Sequence, residues 1–231
     1  MVKDGFINLL FPEICLACET ELSASEHHIC YTCWESIHLT YFEGFKEPSS
    51  LDKLFWGRVN FEATYALFYF QKGKASQKLL HALKYHNNPE IALFLGKYYG
   101  TFLKEFIVKN GIEAVVAIPL HKNKLRMRGY NQSEMLCNGM AETLGIDNLS
   151  TQIIRTKFTE TQTKKSRLER SENVNKVFEI TNSAIFENKH ILIIDDVITT
   201  GATIESCANE LTQIANCKVS IGALAFAYNG V

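Results

Sequence analysis

The stretch His190-Ile191-Leu192-Ile193-Ile194-Asp195-Asp196-Val197-Ile198-Thr199-Thr200-Gly201-Ala202-Thr203 decides the fold. His190 to Ile194 is an apolar β run that ends in two carboxylates; a hydroxyl- and glycine-bearing turn follows, and the spacing then predicts a helix over 203–215. In open α/β sheets, ligands bind at such strand ends. The turn can offer a phosphate several backbone N–H groups and threonine hydroxyls at the start of the helix, and Gly201 permits close approach and positive φ. A helix dipole contributes only about 0.3–1 kcal/mol, so hydrogen bonds from Val197, Thr199, Thr200, Gly201, Ala202 and Thr203 must do most of the holding. Two carboxylates beside a phosphate repel the ligand unless they face another part of it. A sugar diol resolves the conflict: Asp195 and Asp196 accept from adjacent ribose hydroxyls while the turn takes the 5′-phosphate.

Other strand-and-turn sites fail on particulars. The chain has no Gly-x-x-x-x-Gly-Lys-Ser/Thr loop and no Gly-x-Gly-x-x-Gly turn. In a response-regulator receiver an Asp-Asp pair opens the domain, whereas only 35 residues follow Asp196 here. The run-turn-helix stretch resembles the phosphoribosyl pyrophosphate signature of type I phosphoribosyltransferases, which implies a parallel sheet flanked by helices.

Upstream residues fit that architecture. An aromatic strand is expected over 61–70, helices over 74–86 and 90–110, and a buried strand at Ala114-Val115-Val116-Ala117-Ile118, stopped by Pro119. A helix over 131–145, a short strand over 152–155 and a last strand over 218–227 complete the alternation of an α/β domain. The polar stretch 157–175 reads as a loop leading into a short helix.

After Ile118 comes a basic segment in which His121, Lys122, Lys124, Arg126 and Arg128 could meet a polyphosphate. A solvated surface loop and a contact to single-stranded nucleic acid beside Tyr130 remain alternatives.

Near the N-terminus, Cys15-Leu-Ala-Cys18 and Cys30-Tyr-Thr-Cys33 lie eleven residues apart. Two such knuckles converge four thiolates on one zinc ion, a closed set that makes the metal structural. Residues 43–50 have linker composition, so the chain divides into a zinc module at 1–50 and a larger domain at 51–231. Cys137, Cys207 and Cys217 read as core thiols. A net charge of −1 excludes general electrostatic capture of nucleic acid, and neither a signal peptide nor an apolar run long enough for a membrane span is evident, which points to the cytoplasm.

Pro119-Leu120-His121, Arg128-Gly129-Tyr130-Asn131-Gln132, Thr161-Gln162-Thr163 with Arg167, Arg170, Asn173, Val174 and Phe178, and the Asp-Asp turn follow one another in the order of the ComF family. With the four-cysteine module in front, the chain resembles these competence-associated, phosphoribosyltransferase-like proteins over nearly its whole length. The resemblance implies binding of phosphoribosyl pyrophosphate, or a related ribose phosphate, with Mg²⁺. It implies Asp195, Asp196, Arg128 and Arg170 as catalytic candidates, and the basic segment as the pyrophosphate site. Lys164, Arg167 and Arg170 also resemble the closing loop of amidophosphoribosyltransferases. A role in DNA uptake is implied as well, with single-stranded DNA and a competence helicase as partners. The rival reading is a non-catalytic DNA-binding protein that reuses the fold, and a third makes the zinc module a hood over the acceptor site.

Overall fold

The computed structural model describes residues 12–44, 47–85, 88–156 and 177–228. Among these residues five parallel strands form the central sheet, in the order β1-β7-β6-β2-β3. They are β1 (Thr64–Tyr69), β2 (Ala114–Ala117), β3 (Asp147–Asn148), β6 (His190–Ile198) and β7 (Lys218–Phe226). A small antiparallel pair, β4 (Ile153–Arg155) with β5 (Phe178–Ile180), stands apart from it.

Helices cover both faces, as the alternating sequence pattern requires. On one face lie α3 (Ala75–Tyr85), α4 (Pro89–Lys109) and α6 (Gln132–Leu144), which share a core with Leu192 and Ile194 of β6. On the other, α2 (Ser50–Phe55) and α7 (Ala202–Leu211) pack with Ile191 and Ile193, the opposite side of the same strand. Helices α4 and α6 touch backbone to backbone: a Cβ on Gly96 would lie 2.2 Å from the Leu136 carbonyl oxygen, and one on Gly139 2.3 Å from that of Leu93. Among the described residues no helix is long and apolar enough to cross a membrane.

The order of strands creates the crevice. From β2 the chain moves through α6 to β3 at one edge, and from β6 through α7 to β7 on the other side, so neighbouring β2 and β6 lead in opposite directions. Strand β2 stops opposite Ile194, while β6 continues beside β7 until Ile198 faces Phe226. The apolar run predicts a strand ending before the carboxylates; pairing with β7 instead carries Asp195, Asp196 and Val197 inside it.

Two more local differences have clear causes. The basic segment folds as a short helix, α5 (Lys122–Arg128): the His121 ring accepts from the Asn123 N–H, and Gly129 closes it at φ 79°. Helix α7 ends at Leu211 rather than Ala215, because the Ala215 carbonyl accepts from the Asn188 N–H and Asn216 turns at φ 53° to feed β7. The loop expected at 157–175 lies outside the described residues.

The cysteine-rich segment is built into the same core. Cys15, Ala17, Ile29 and Ile37 join the cluster that holds Leu79, Leu83 and Leu95. Beyond the short helix α1 (Tyr31–Glu35), Leu39 bridges Phe68 antiparallel. The Thr40 N–H donates to Leu67 and the Tyr69 N–H to His38, which covers the outer edge of β1.

Candidate functional site

At the open end of β6 the two carboxylates differ in what holds them. Asp195 Oδ1 accepts from Ser133 Oγ at 3.2 Å and from the Asp196 N–H at 2.8 Å. Asp196 Oδ2 lies 3.0 Å from Lys84 Nζ. Burial, and then the charge of Asp196, push the Asp195 carboxyl up to about 7, against the two hydrogen bonds and the more distant Lys84. A hydroxyl donor or a cation placed against Asp195 favours its ionised form, so such a ligand would bind with loss of a proton.

Beyond Ile198 the chain turns into α7 through Gly201, at φ 74°. A Cβ there would approach Phe55 Cε1 to 2.7 Å, so glycine is required both by the left-handed backbone and by the packing of α2. Among the described residues no side chain caps α7, and the first N–H groups of a helix have no partner within it. Arg58 grips the turn from behind, donating to the Thr200 carbonyl at 2.9 Å and to Glu205 at 2.5 and 3.1 Å. Thr199 and Thr200 are exposed. Val197, half-buried, Thr199 and Asp196 line a cleft of about 350 Å³ whose other wall is α3.

The cations of α5 divide. Helical spacing sets Lys122 and Arg126 on one face and Lys124 and Arg128 on another. Lys122, Lys124 and Arg126 are exposed, while Arg128 turns inward. Its Nη1 donates to Gln132 Oε1 at 2.9 Å, and its guanidinium carbon lies 5.8 Å from the Tyr85 ring centroid. Gln132 is 1% exposed, and its Nε2, like Arg128 Nε, has no hydrogen-bond partner among the described residues. His121 is engaged in capping α5. Lys164, Arg167 and Arg170 lie outside the described residues.

Three side chains at this site escape a reading of the sequence: Lys84, Ser133 and Arg58. Ser133 follows the helix-capping Asn131, a signal that could place it at the start of α6 beside the strand end. Lys84 and Arg58 come from distant segments and carry no local signature.

The four sulfur atoms of Cys15, Cys18, Cys30 and Cys33 lie within 4.8 Å of one another. Cys18 and Cys30 are 3.7 Å apart, far beyond the roughly 2.05 Å of a disulfide. Tetrahedral Zn–S bonds of about 2.3 Å separate the sulfurs by roughly 3.8 Å, so the cluster fits a zinc ion. The N–H groups of Ala17 and Cys30 donate to Cys15 Sγ at 3.4 and 3.3 Å. Nearby, the His28 ring packs edge-on against Phe94. An all-thiolate set leaves no open position, so its zinc is structural.

Known proteins match two segments of the chain. Residues 6–42 match the double zinc ribbon domain, and residues 132–230 match the phosphoribosyl transferase domain. The DNA utilization protein YhgH of Salmonella typhi is 31% identical over 152 residues, 63% of this chain and 65% of that relative. With YhgH of Salmonella typhimurium the identity is 27% over 237 residues, covering 94% and 98% of the two chains. The competence protein ComFC of Bacillus subtilis is 29% identical over 213 residues, 89% of this chain and 81% of its own.

Proposed function

Because the chain belongs to the ComF family, with a zinc ribbon ahead of a phosphoribosyltransferase domain, we propose that its β6–α7 site binds phosphoribosyl pyrophosphate with Mg²⁺. One observation carries the proposal. Asp195 and Asp196 stand side by side where β6 outruns β2, immediately ahead of a glycine turn that opens an uncapped helix.

In this reading the carboxylates accept from the ribose 2′- and 3′-hydroxyls. The N–H groups and hydroxyls of Thr199 to Thr203 take the 5′-phosphate. Lys122, Lys124, Arg126 and Arg128, with His121, meet the pyrophosphate, and Arg170 closes over it. Carboxylate oxygens suit a hard dication, which when bound would neutralise pyrophosphate charge. Transfer would break the bond between C1 and a pyrophosphate oxygen, whose electron pair leaves with pyrophosphate. An acceptor lone pair forms the new bond to C1, and the acceptor sheds a proton. Asp195 and Asp196 would favour the positive sugar in between.

The zinc module at 1–50 and the domain at 51–231 would work as one unit in the cytoplasm, in handling imported DNA. A second reading, a non-catalytic partner of single-stranded DNA or of a helicase, is favoured by the exposed Lys122, Lys124 and Arg126 beside exposed Leu125 and Met127. Steep weakening of DNA binding by salt would mark it.

Calorimetric titration of Mg²⁺ and phosphoribosyl pyrophosphate into the protein tests the main reading. Binding should occur in the wild type and vanish in the Asp195→Asn, Asp196→Asn double variant, with zinc content unchanged. Undiminished affinity in that variant overturns the assignment.

A further inference from the structure

The phosphoribosyl reading gives Lys84 no task. This residue stands in the last turn of α3, where the carbonyl end of the helix favours a cation. Its Nζ lies 3.0 Å from Asp196 Oδ2, and the two side chains are only 25% and 14% exposed, so water and salt screen the pair weakly. Asp195 feels the same ammonium charge. Asp195 itself is held by neutral groups, Ser133 Oγ and the Asp196 N–H. The carboxylate pair is therefore secured on one side by dipoles and on the other by a full positive charge.

The fold fixes where that charge stands. The Tyr130 hydroxyl lies 2.6 Å from the Leu83 carbonyl oxygen and 3.2 Å from that of Asn88, so its one proton is shared between them. Two residues earlier, Arg128 places its guanidinium carbon 5.8 Å from the Tyr85 ring centroid. The Arg128-Gly129-Tyr130 segment thus anchors α3 on either side of Lys84, at Leu83 and at Tyr85.

An ammonium in this position bears on the entry of a metal. Mg²⁺ bonds a carboxylate oxygen at about 2.1 Å. Bonded to Asp196 Oδ2, it would stand within about 5 Å of Lys84 Nζ, and like charges that close in a partly buried site repel strongly. A bare dication must displace Lys84 or bear its repulsion. A dication that arrives on a sugar polyphosphate brings negative charge with it, and the same ammonium then attracts the ligand. Lysine suits such an exchange, because three donors on a flexible stem can turn from a carboxylate to a phosphoryl oxygen. A tie whose sole task was to hold α3 against the sheet would need a donor to Asp196, not a charge.

We propose that Lys84 determines the specificity of metal entry. It holds the metal's place at the carboxylate pair of the empty site, excludes a free divalent cation, and admits one that comes bound to the polyphosphate. The inference rests on the phosphoribosyl reading for the identity of the polyphosphate, but not for the exclusion of free metal.

The test is to titrate Mn²⁺ into the zinc-loaded full chain at about pH 8.5, above the titration of Asp195, and to follow the paramagnetic resonance of the free ion. Lys84→Gln keeps a donor toward Asp196 and removes the charge; it should bind Mn²⁺ about ten-fold or more tightly than the wild type. Lys84→Arg keeps the charge and should stay within about three-fold of the wild type. Affinity for phosphoribosyl pyrophosphate at saturating Mg²⁺, read by calorimetry, should move the opposite way, falling about ten-fold in Lys84→Gln. Loss of a merely structural tie would not move the two affinities in opposite directions. Urea unfolding checks each variant, and Lys84→Met, uncharged and of similar length, takes the place of Lys84→Gln if that variant does not fold. Unchanged Mn²⁺ affinity in the uncharged variant overturns the proposal, and so does tighter Mn²⁺ binding in Lys84→Arg as well, which would make fit rather than charge the cause. Tighter Mn²⁺ binding with no loss of affinity for phosphoribosyl pyrophosphate overturns the selective admission. If phosphoribosyl pyrophosphate does not bind the wild type, the phosphoribosyl reading falls and the Mn²⁺ titration alone decides the exclusion: tighter binding in the uncharged variant supports it, and equal binding overturns it.

Discussion

The two ends of β6 are built to opposite purposes. At its start His190 is buried and fully engaged, with Nδ1 2.9 Å from the Asn110 carbonyl and Nε2 2.9 Å from Ser220 Oγ, while its N–H donates to Glu113. At its other end two carboxylates crowd together, and burial holds one of them up to about 7. One end satisfies a titratable group with neutral partners; the other keeps like charges adjacent at a cost to the folded state. Such a charge pair makes sense where a ligand completes the set.

Asp195→Asn should break the second end most severely. Affinity for Mg²⁺ and phosphoribosyl pyrophosphate should fall at least about 100-fold by calorimetry, because the amide neither accepts equally well nor carries charge. Stability to urea above pH 7 should hold or rise in the same variant. A variant that binds normally would make the two ends alike.

His190→Ala attacks the first end and should do the reverse. It leaves the Asn110 carbonyl and the Ser220 hydroxyl without their partner, costing about 2–3 kcal/mol in urea unfolding while ligand affinity is retained.

A pH series sharpens the contrast without mutation. The unfolded carboxyl titrates near about 3.9, so between roughly pH 4 and 7 the native protein holds more protons at Asp195 than the unfolded chain. The contribution of this group to stability therefore falls as pH rises through that window and is flat above it. Ligand affinity should move the opposite way, rising by up to about ten-fold per pH unit until Asp195 is ionised. Asp195→Asn should flatten both profiles.

The smallest effect is expected from Arg58→Ala, which frees the Thr200 carbonyl and Glu205. Affinity for phosphoribosyl pyrophosphate should weaken about three- to ten-fold through a looser phosphate turn, with His190 and its partners undisturbed.

Much of this was legible in the sequence because it is local. The strand, the carboxylate pair and the turn are contiguous, and Cys15, Cys18, Cys30 and Cys33 form two short knuckles. What was not legible depends on pairing across the fold. β7 draws Asp195 and Asp196 into the strand, and Lys84 reaches Asp196 only because α3 packs at the sheet's open end. The basic segment could be read for charge but not for shape: once helical, it divides its four cations between two faces.

The hydrogen bonds of His38 and Thr40 to β1 carry a last consequence. They occupy a strand edge that, uncovered, would offer a template to any other chain. Losing the metal that organises the cysteine knuckles would free that edge, so zinc starvation should announce itself as turbidity and light scattering before any change at the ligand site is felt.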